Sequence, residues 1–200
     1  MKSNFLILFT LLLLNSCAHK ITKVEAIPEH EYVDLGLSVK WAKYNVGANK
    51  PEERGQYFQW GLEGTNVMQE KLDLYNDMIV TYKYELNAKN DIASLLWDND
   101  WRIPTAAEFK ELQEKCAWEW AEVNGVAGQE ITGPNGNKLF LPFAGIGDVQ
   151  WGAIYTDQGF YWSSSVAENG EAQCLQFDLS ANKLNEKART EKLSIRAVKP

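Results

Sequence analysis

Histidine is nearly missing from this 200-residue chain: there are two, His19 and His30, and none from Glu31 onward. A Ser-His-Asp triad, a Cys-His dyad and a His-ligated zinc all need an imidazole as base or ligand near neutral pH. Those mechanisms are excluded for a domain beginning at residue 31. Cysteine is almost as scarce, with Cys17, Cys116 and Cys174 and no C-x-x-C spacing. Positive charge is short as well. The 20 Lys+Arg face 27 Asp+Glu, the net charge is −7, and no basic run offsets it. A binder of phosphate backbones needs clustered positive charge, so nucleic acid is not an expected partner. What the chain does have is aromatics, with eight each of Trp, Tyr and Phe. The length suits one domain with a substantial core.

Only one long apolar run exists, and it lies at the N-terminus. Lys2 precedes Phe5–Leu14 (FLILFTLLLL), which fits a secretory h-region and is too short to span a bilayer, where about 20 apolar residues are needed. Residues 1–16 therefore read as a signal peptide. The run ends in Leu14-Asn15-Ser16-Cys17, which resembles the lipobox of bacterial lipoproteins, with Cys17 the lipidated residue. Cleavage before Cys17 removes one charged residue, Lys2, and takes the net charge from −7 to −8. Residues 17–30 read as the lipidated cysteine and a polar tether. The expected location is the cell envelope, lipid-anchored at the outer membrane, with the membrane face left open.

Residues 31–200 read as a single domain of α+β class. Glu31–Ala42 (EYVDLGLSVKWA) has the residues of a first strand pair around Gly36. Asp91 can cap a short helix carrying Ile92, Leu95 and Leu96. Thr105-Ala106-Ala107-Glu108 is a capping box that opens a helix with Phe109, Leu112 and Cys116 on its apolar face. Glu111 and Lys115 form an i,i+4 pair on the wet side of that helix. Pro134-Asn135-Gly136-Asn137 is a hairpin turn between Gln129–Thr132 and Lys138–Leu141. Phe160–Ser163, Cys174–Leu179 and Leu193–Val198 read as closing strands. In the last, Leu193, Ile195 and Ala197 alternate with Ser194, Arg196 and Val198, the pattern of a half-buried strand. Cys174 falls opposite the apolar side Leu175, Phe177 and Leu179. Cys116 and Cys174 thus face different ways and read as two separate thiols, although an oxidising envelope would permit a disulfide.

Several blocks occur together in order. They are Glu31–Ala42, Asn45–Ala48, Pro51-Glu52, Tyr57-Phe58 and Trp60-Gly61, then Trp101–Thr105 with Glu108 and Leu112. Cys116 with Trp118 and Trp120, Thr132–Asn137, Leu139–Pro142 and Gly145 follow, and Tyr161–Ser165 and Ser194–Val198 come last. Together they resemble the Fibrobacter major paralogous domain family of bacterial envelope proteins, over roughly residues 31 to 199. The resemblance implies a C-type-lectin-like fold, in the variant shared with sulfatase-modifying enzymes, with first and last strands paired. It carries no established activity. The cysteine pair that formylglycine-generating enzymes use near the C-terminus has no counterpart in Ser194–Ala197. Asp98-Asn99-Asp100 offers hard oxygen ligands of the kind calcium takes, but it lies mid-chain. Its residues suit a turn, and no metal or cofactor is assigned.

Most of the eight tryptophans, Trp41, Trp101, Trp118 and Trp162 above all, read as core fillers. Trp118 and Trp120 lie just past the helix, where one of them would cover its end. The loop from Gly147 to Asp157 is different. It mixes glycine with polar groups and places Trp151 and Tyr155 four apart, with Asp148 and Gln150 beside them. Stacking aromatics flanked by orienting polar groups suit a sugar or peptide ligand, and loops on a rigid scaffold commonly carry binding. The expected function is a non-catalytic binding domain for a glycan, peptide or partner protein. The alternatives are a structural subunit of a surface assembly, or an enzyme using carboxylates alone, for which Asp148, Asp157 and Glu168 are the nominees. Ser163-Ser164-Ser165 lacks a histidine to activate it and reads as structural.

Overall fold

The computed structural model describes residues 30–61, 86, 88, 90–97 and 100–200. The segments 1–29 and 62–85, which include Cys17, lie outside the described residues, as do Asp98 and Asn99. Short β-rich runs broken by Gly and Asn-Gly turns become small antiparallel sheets rather than one large one. The strands are β1 (Tyr32–Val33), β2 (Lys40–Ala42), β3 (Ala117–Val123), β4 (Val126–Thr132), β5 (Lys138–Pro142), β6 (Ile146–Asp148), β7 (Gly152–Ile154), β8 (Gly159–Val166), β9 (Ala172–Phe177), β10 (Asn182–Lys187) and β11 (Val198–Lys199). Two helices accompany them among the described residues, α1 (Ile92–Leu96) and α2 (Ala106–Lys115). The sheets run β1-β2-β11, β3-β4-β5, β6-β7 and β10-β9-β8. The class is α+β.

The two ends of the domain meet in one sheet. β1 pairs with β2, and it is β2 that takes β11, so Trp41 stands between Val33 and Val198. Trp41 is fully buried, with its ring 5.5 Å from that of Phe109 on α2. The α2 start forms as its residues dictate. The Glu108 N–H donates to Thr105 Oγ1 at 3.2 Å, and the Thr105 N–H donates to Glu108 Oε2 at 2.8 Å. Arg102 closes the arrangement by donating through Nη1 to Glu108 Oε2 at 2.8 Å. Glu111 does more than face water: besides Lys115 at 2.8 Å, it accepts the Ser38 N–H at 3.1 Å and ties α2 to the loop before β2. At α1, Asp91 caps as expected, accepting from the Ala93 and Ser94 N–H groups, and also from Ile103 N at 2.7 Å. Ile92 is buried there, but Leu95 and Leu96 are exposed.

The β8-β9-β10 sheet divides the interior. Phe160, Trp162, Ala172 and Cys174 point into one core with Trp60, Trp101 and Ile195; Tyr161, Leu175 and Phe177 point into a second with Trp41, Phe109 and Leu112. A strand covered on both faces needs no polar alternation, and β8 is buried from Gly159 to Ser165. That corrects two expectations. Cys174 is on the face opposite Leu175, but that face is also core. Leu179 lies beyond β9 and is exposed. Cys174 and Cys116 are separate free thiols, and burial pushes the Cys174 thiol up to about 12.

The C-terminal segment departs most from its pattern. Leu193–Val198 is buried at every position, and only Val198 belongs to a regular strand. Leu193 and Ser194 instead make single bridges to Phe58 and Tyr161. Arg196, expected on a wet face, is fully buried. Its Nε donates to Asn45 Oδ1 at 2.8 Å, and its Nη1 donates to the Ala42 and Lys43 carbonyls at 3.2 and 3.0 Å. Asn45 Nδ2 in turn donates to the Arg54 carbonyl at 2.9 Å and to the Tyr161 hydroxyl at 3.3 Å, which donates to the Pro142 carbonyl at 2.8 Å. Burial lowers the Arg196 guanidinium to about 10 and raises the Tyr161 phenol to about 12. Alternation failed here because a segment threaded between β8 and the residue 45–58 loop has no wet side.

Candidate functional site: an aromatic hairpin tip

The loop singled out in the sequence is a β-hairpin. β6 and β7 pair Ile146 with Ile154, Gly147 with Ala153 and Asp148 with Gly152, leaving Val149, Gln150 and Trp151 at the tip. Asp148 shapes that tip. Its Oδ1 accepts the Gln150 and Trp151 N–H groups, each at 2.8 Å, a side chain standing in for the backbone acceptor of a turn. Gly152, at φ +75°, supplies the left-handed residue that closes the loop.

The base is held more firmly. Ile146 is buried, and half-buried Ile154 packs on the first core. Gly147 N–H donates to the Lys192 carbonyl at 2.7 Å, and the Tyr57 ring lies so close that a Cβ at Gly147 would sit 2.6 Å from it. At Gly145 a Cβ would meet the Ile154 carbonyl oxygen at 2.3 Å, so only glycine allows the two arms to approach this closely.

The hairpin delivers apolar surface to water. Val149 is 88% exposed, Trp151 71% and Tyr155 59%. Tyr155 also has φ +54°, one of two non-glycine residues in the left-handed region among the described residues. A bulky side chain there costs about 1 kcal/mol or more, and such strain concentrates at functional sites. The Tyr155 carbonyl accepts the Gln158 N–H at 3.1 Å, and the Gln158 carbonyl accepts Gly145 N–H at 2.9 Å, so the strained residue is clamped at both ends of its turn. Asp148 is spent on the turn through Oδ1, whereas Gln150 lies exposed beside Trp151. The four residues named from the sequence thus share one hairpin and its exit. Asp148 is the shaper of the tip, and the other three present side chains to solvent.

Glu168 stands apart from the other carboxylate nominees, Asp148 and Asp157. Asp157 is exposed near the hairpin exit, but Glu168 lies in the turn after β8, roughly 20 Å away along that strand. Paired catalytic carboxylates stand about 5–9.5 Å apart. The serines are structural: Ser163 Oγ donates to the Gln173 carbonyl at 2.9 Å, and Ser165 Oγ accepts the Ala106 N–H at 3.1 Å. Among the described residues, no group of three or more His, Cys, Asp or Glu side chains could hold a metal ion.

Two aromatic features escaped the sequence reading. Trp118 covers the end of α2, its Nε1 donating to the Leu112 carbonyl at 3.2 Å, but Trp120 on the same strand is 56% exposed. The signal was Asn124-Gly125, a two-residue turn that marks β3 and β4 as a hairpin. His30, placed in the tether, packs on the domain, its ring stacked on Trp97 at 4.0 Å and edge-on to Trp101 at 6.3 Å. No family model, curated protein or solved structure matches the chain.

Proposed function

We propose that this chain is a lipid-anchored envelope protein of the Fibrobacter major paralogous domain type. Its C-type-lectin-like domain binds a glycan through the β6–β7 hairpin without catalysing a reaction. Trp151 and Tyr155 supply stacking faces, Gln150 supplies an amide to orient hydroxyls, and Asp148 holds the tip in shape. The observation that carries this reading is Trp151, 71% exposed on a tip whose backbone is fixed by a buried base. Covering a tryptophan face removes apolar area worth about 25 cal/mol per Å² from water. The signal-like Phe5–Leu14 run and Cys17 support export and anchoring. Among the described residues no helix is long and apolar enough to cross a membrane.

A glycan array probed with wild type and Trp151→Ala tests the reading. Wild type should bind a subset of sugars, and Trp151→Ala should lose at least tenfold in affinity for them. Equal binding by both removes Trp151 as the site, and turnover of an arrayed sugar replaces binding with catalysis.

A further inference from the structure

β3 is an edge strand. The order β3-β4-β5 leaves its outer side without a strand partner among the described residues. It has seven residues, AWEWAEV, paired with β4 from Ala117↔Thr132 to Val123↔Val126 without a bulge. Proteins normally blunt such an edge with charge, proline, a bulge or brevity, and of these β3 has only the charges of Glu119 and Glu122. Instead it carries Trp120 on display.

The turn fixes which backbone groups face out. Asn124 and Gly125 have φ +50° and +80°, so the β3–β4 connection is a two-residue turn of the mirror-image type. Val123 and Val126, which flank it, are then a hydrogen-bonded pair, and alternation along the ladder follows. Ala117, Glu119, Ala121 and Val123 spend their N–H and C=O groups on β4. Trp118, Trp120 and Glu122 direct theirs outward.

We propose that a second copy of this chain covers this edge, β3 pairing antiparallel with β3 about a two-fold axis at Trp120. In that register Trp120 faces Trp120 of the other copy, Trp118 faces Glu122, Glu119 faces Ala121 and Ala117 faces Val123. The outward-facing residues become the hydrogen-bonded pairs, each exchanging two backbone bonds, so the parity set by the turn and the two-fold agree. No glutamate stands opposite a glutamate. The register shifted by two that puts Glu119 against Glu119 opposes like charges. The two exposed indoles meet at the axis, and two three-stranded sheets become one continuous sheet. A single strand pair is small beside the roughly 1,600 Å² of a standard interface, so the dimer is concentration-dependent. The net charge of −7 on each copy opposes it, so added salt strengthens it.

Sedimentation of the full-length protein from micromolar to submillimolar concentration tests this. A monomer–dimer equilibrium that tightens with salt is expected, and a monomer throughout overturns the proposal. Trp120→Pro removes an outward N–H while leaving the bonds to β4, and should abolish the dimer with its circular dichroism unchanged. Trp120→Cys keeps the test decisive if that variant does not fold. Hydrogen-bonded antiparallel partners lie about 5.5 Å apart between Cα atoms, within disulfide reach. Mild oxidation should therefore link two copies through the substituted position, identified by mass spectrometry apart from Cys116. A dimer that forms no link there overturns the register.

Discussion

Trp162 lies on β8 and Trp151 at the end of the hairpin immediately before it, yet they stand in opposite environments. The Trp162 ring is fully buried and its Nε1 donates to the Phe58 carbonyl at 2.7 Å. Trp151 is bonded through its backbone, to Asp148, and its ring stands in water. Residue type does not distinguish them. β8 is covered by a core on each face, while the two-stranded β6–β7 unit has only its base packed. In a fold of small sheets, the number of layers over a strand decides what its aromatics do. Buried ones hold the scaffold, and those beyond the last layer are available to a ligand.

The largest effect that would break this contrast lies in the interior. Arg196→Ala leaves the Asn45 side-chain oxygen Oδ1 and the Ala42 and Lys43 backbone carbonyls buried without their donor, and opens a cavity. About 3–4 kcal/mol of stability should be lost. Trp151→Ala should stay within about 0.5 kcal/mol of wild type, as exposed substitutions do. Urea denaturation followed by tryptophan fluorescence reads both. A loss at Trp151 approaching that at Arg196 would show the hairpin tip to be scaffold, not display.

A second test concerns acid. Burial pushes the Glu108 carboxyl up, but the Arg102 guanidinium and the Thr105 N–H outweigh burial and hold it below the ordinary value of 4.5. The unfolded chain therefore takes up that proton more readily, and the contribution is present above about pH 4.5 and lost as pH falls through the folded value. Asp91 runs the other way, raised by burial despite three backbone N–H donors, so its contribution is lost as pH rises. Glu108→Gln should cost about 1–2 kcal/mol at pH 7 and flatten the acid limb of the Tm–pH profile. Glycan binding at the hairpin should be unchanged at neutral pH. A variant with the wild-type acid limb would remove Glu108 from the account.

What could be read from the sequence was what is local. The Thr105–Glu108 box, the Asp91 cap and the Pro134–Asn137 turn depend on residues within a few positions, and each formed where its residues stand. β10, NKLNEK, carries no apolar alternation because an outer strand is held through backbone bonds to β9, so no pattern marked it. Arg196 was misplaced because alternation assumes one wet face, and tertiary threading removed it. The hairpin site was half visible. Glycine and polar residues around Trp151 announced an exposed loop, but the left-handed backbone of Tyr155 contradicts the preference of its side chain. The bonds from Gln158 N–H to the Tyr155 carbonyl and from Gly145 N–H to the Gln158 carbonyl accompany it, and the second joins residues too far apart in the chain for a local pattern to show.

That contradiction supplies the smallest and most discriminating test. Tyr155→Gly removes a bulky side chain from a φ of +54°, relieving about 1 kcal/mol of strain. The added freedom of glycine in the unfolded chain returns most of it. Net stability should rise by a few tenths of a kcal/mol or stay level, unlike the loss expected where a ring is packed. If Tyr155 is a stacking face, affinity for the glycans that Trp151→Ala abandons should fall while the melting temperature holds. Tyr155→Asn, tolerant of the same backbone, should behave alike. Strain kept at a position whose removal costs no stability and only binding marks a residue held there for its ligand. A drop in melting temperature with binding intact would instead make Tyr155 the hairpin's own brace.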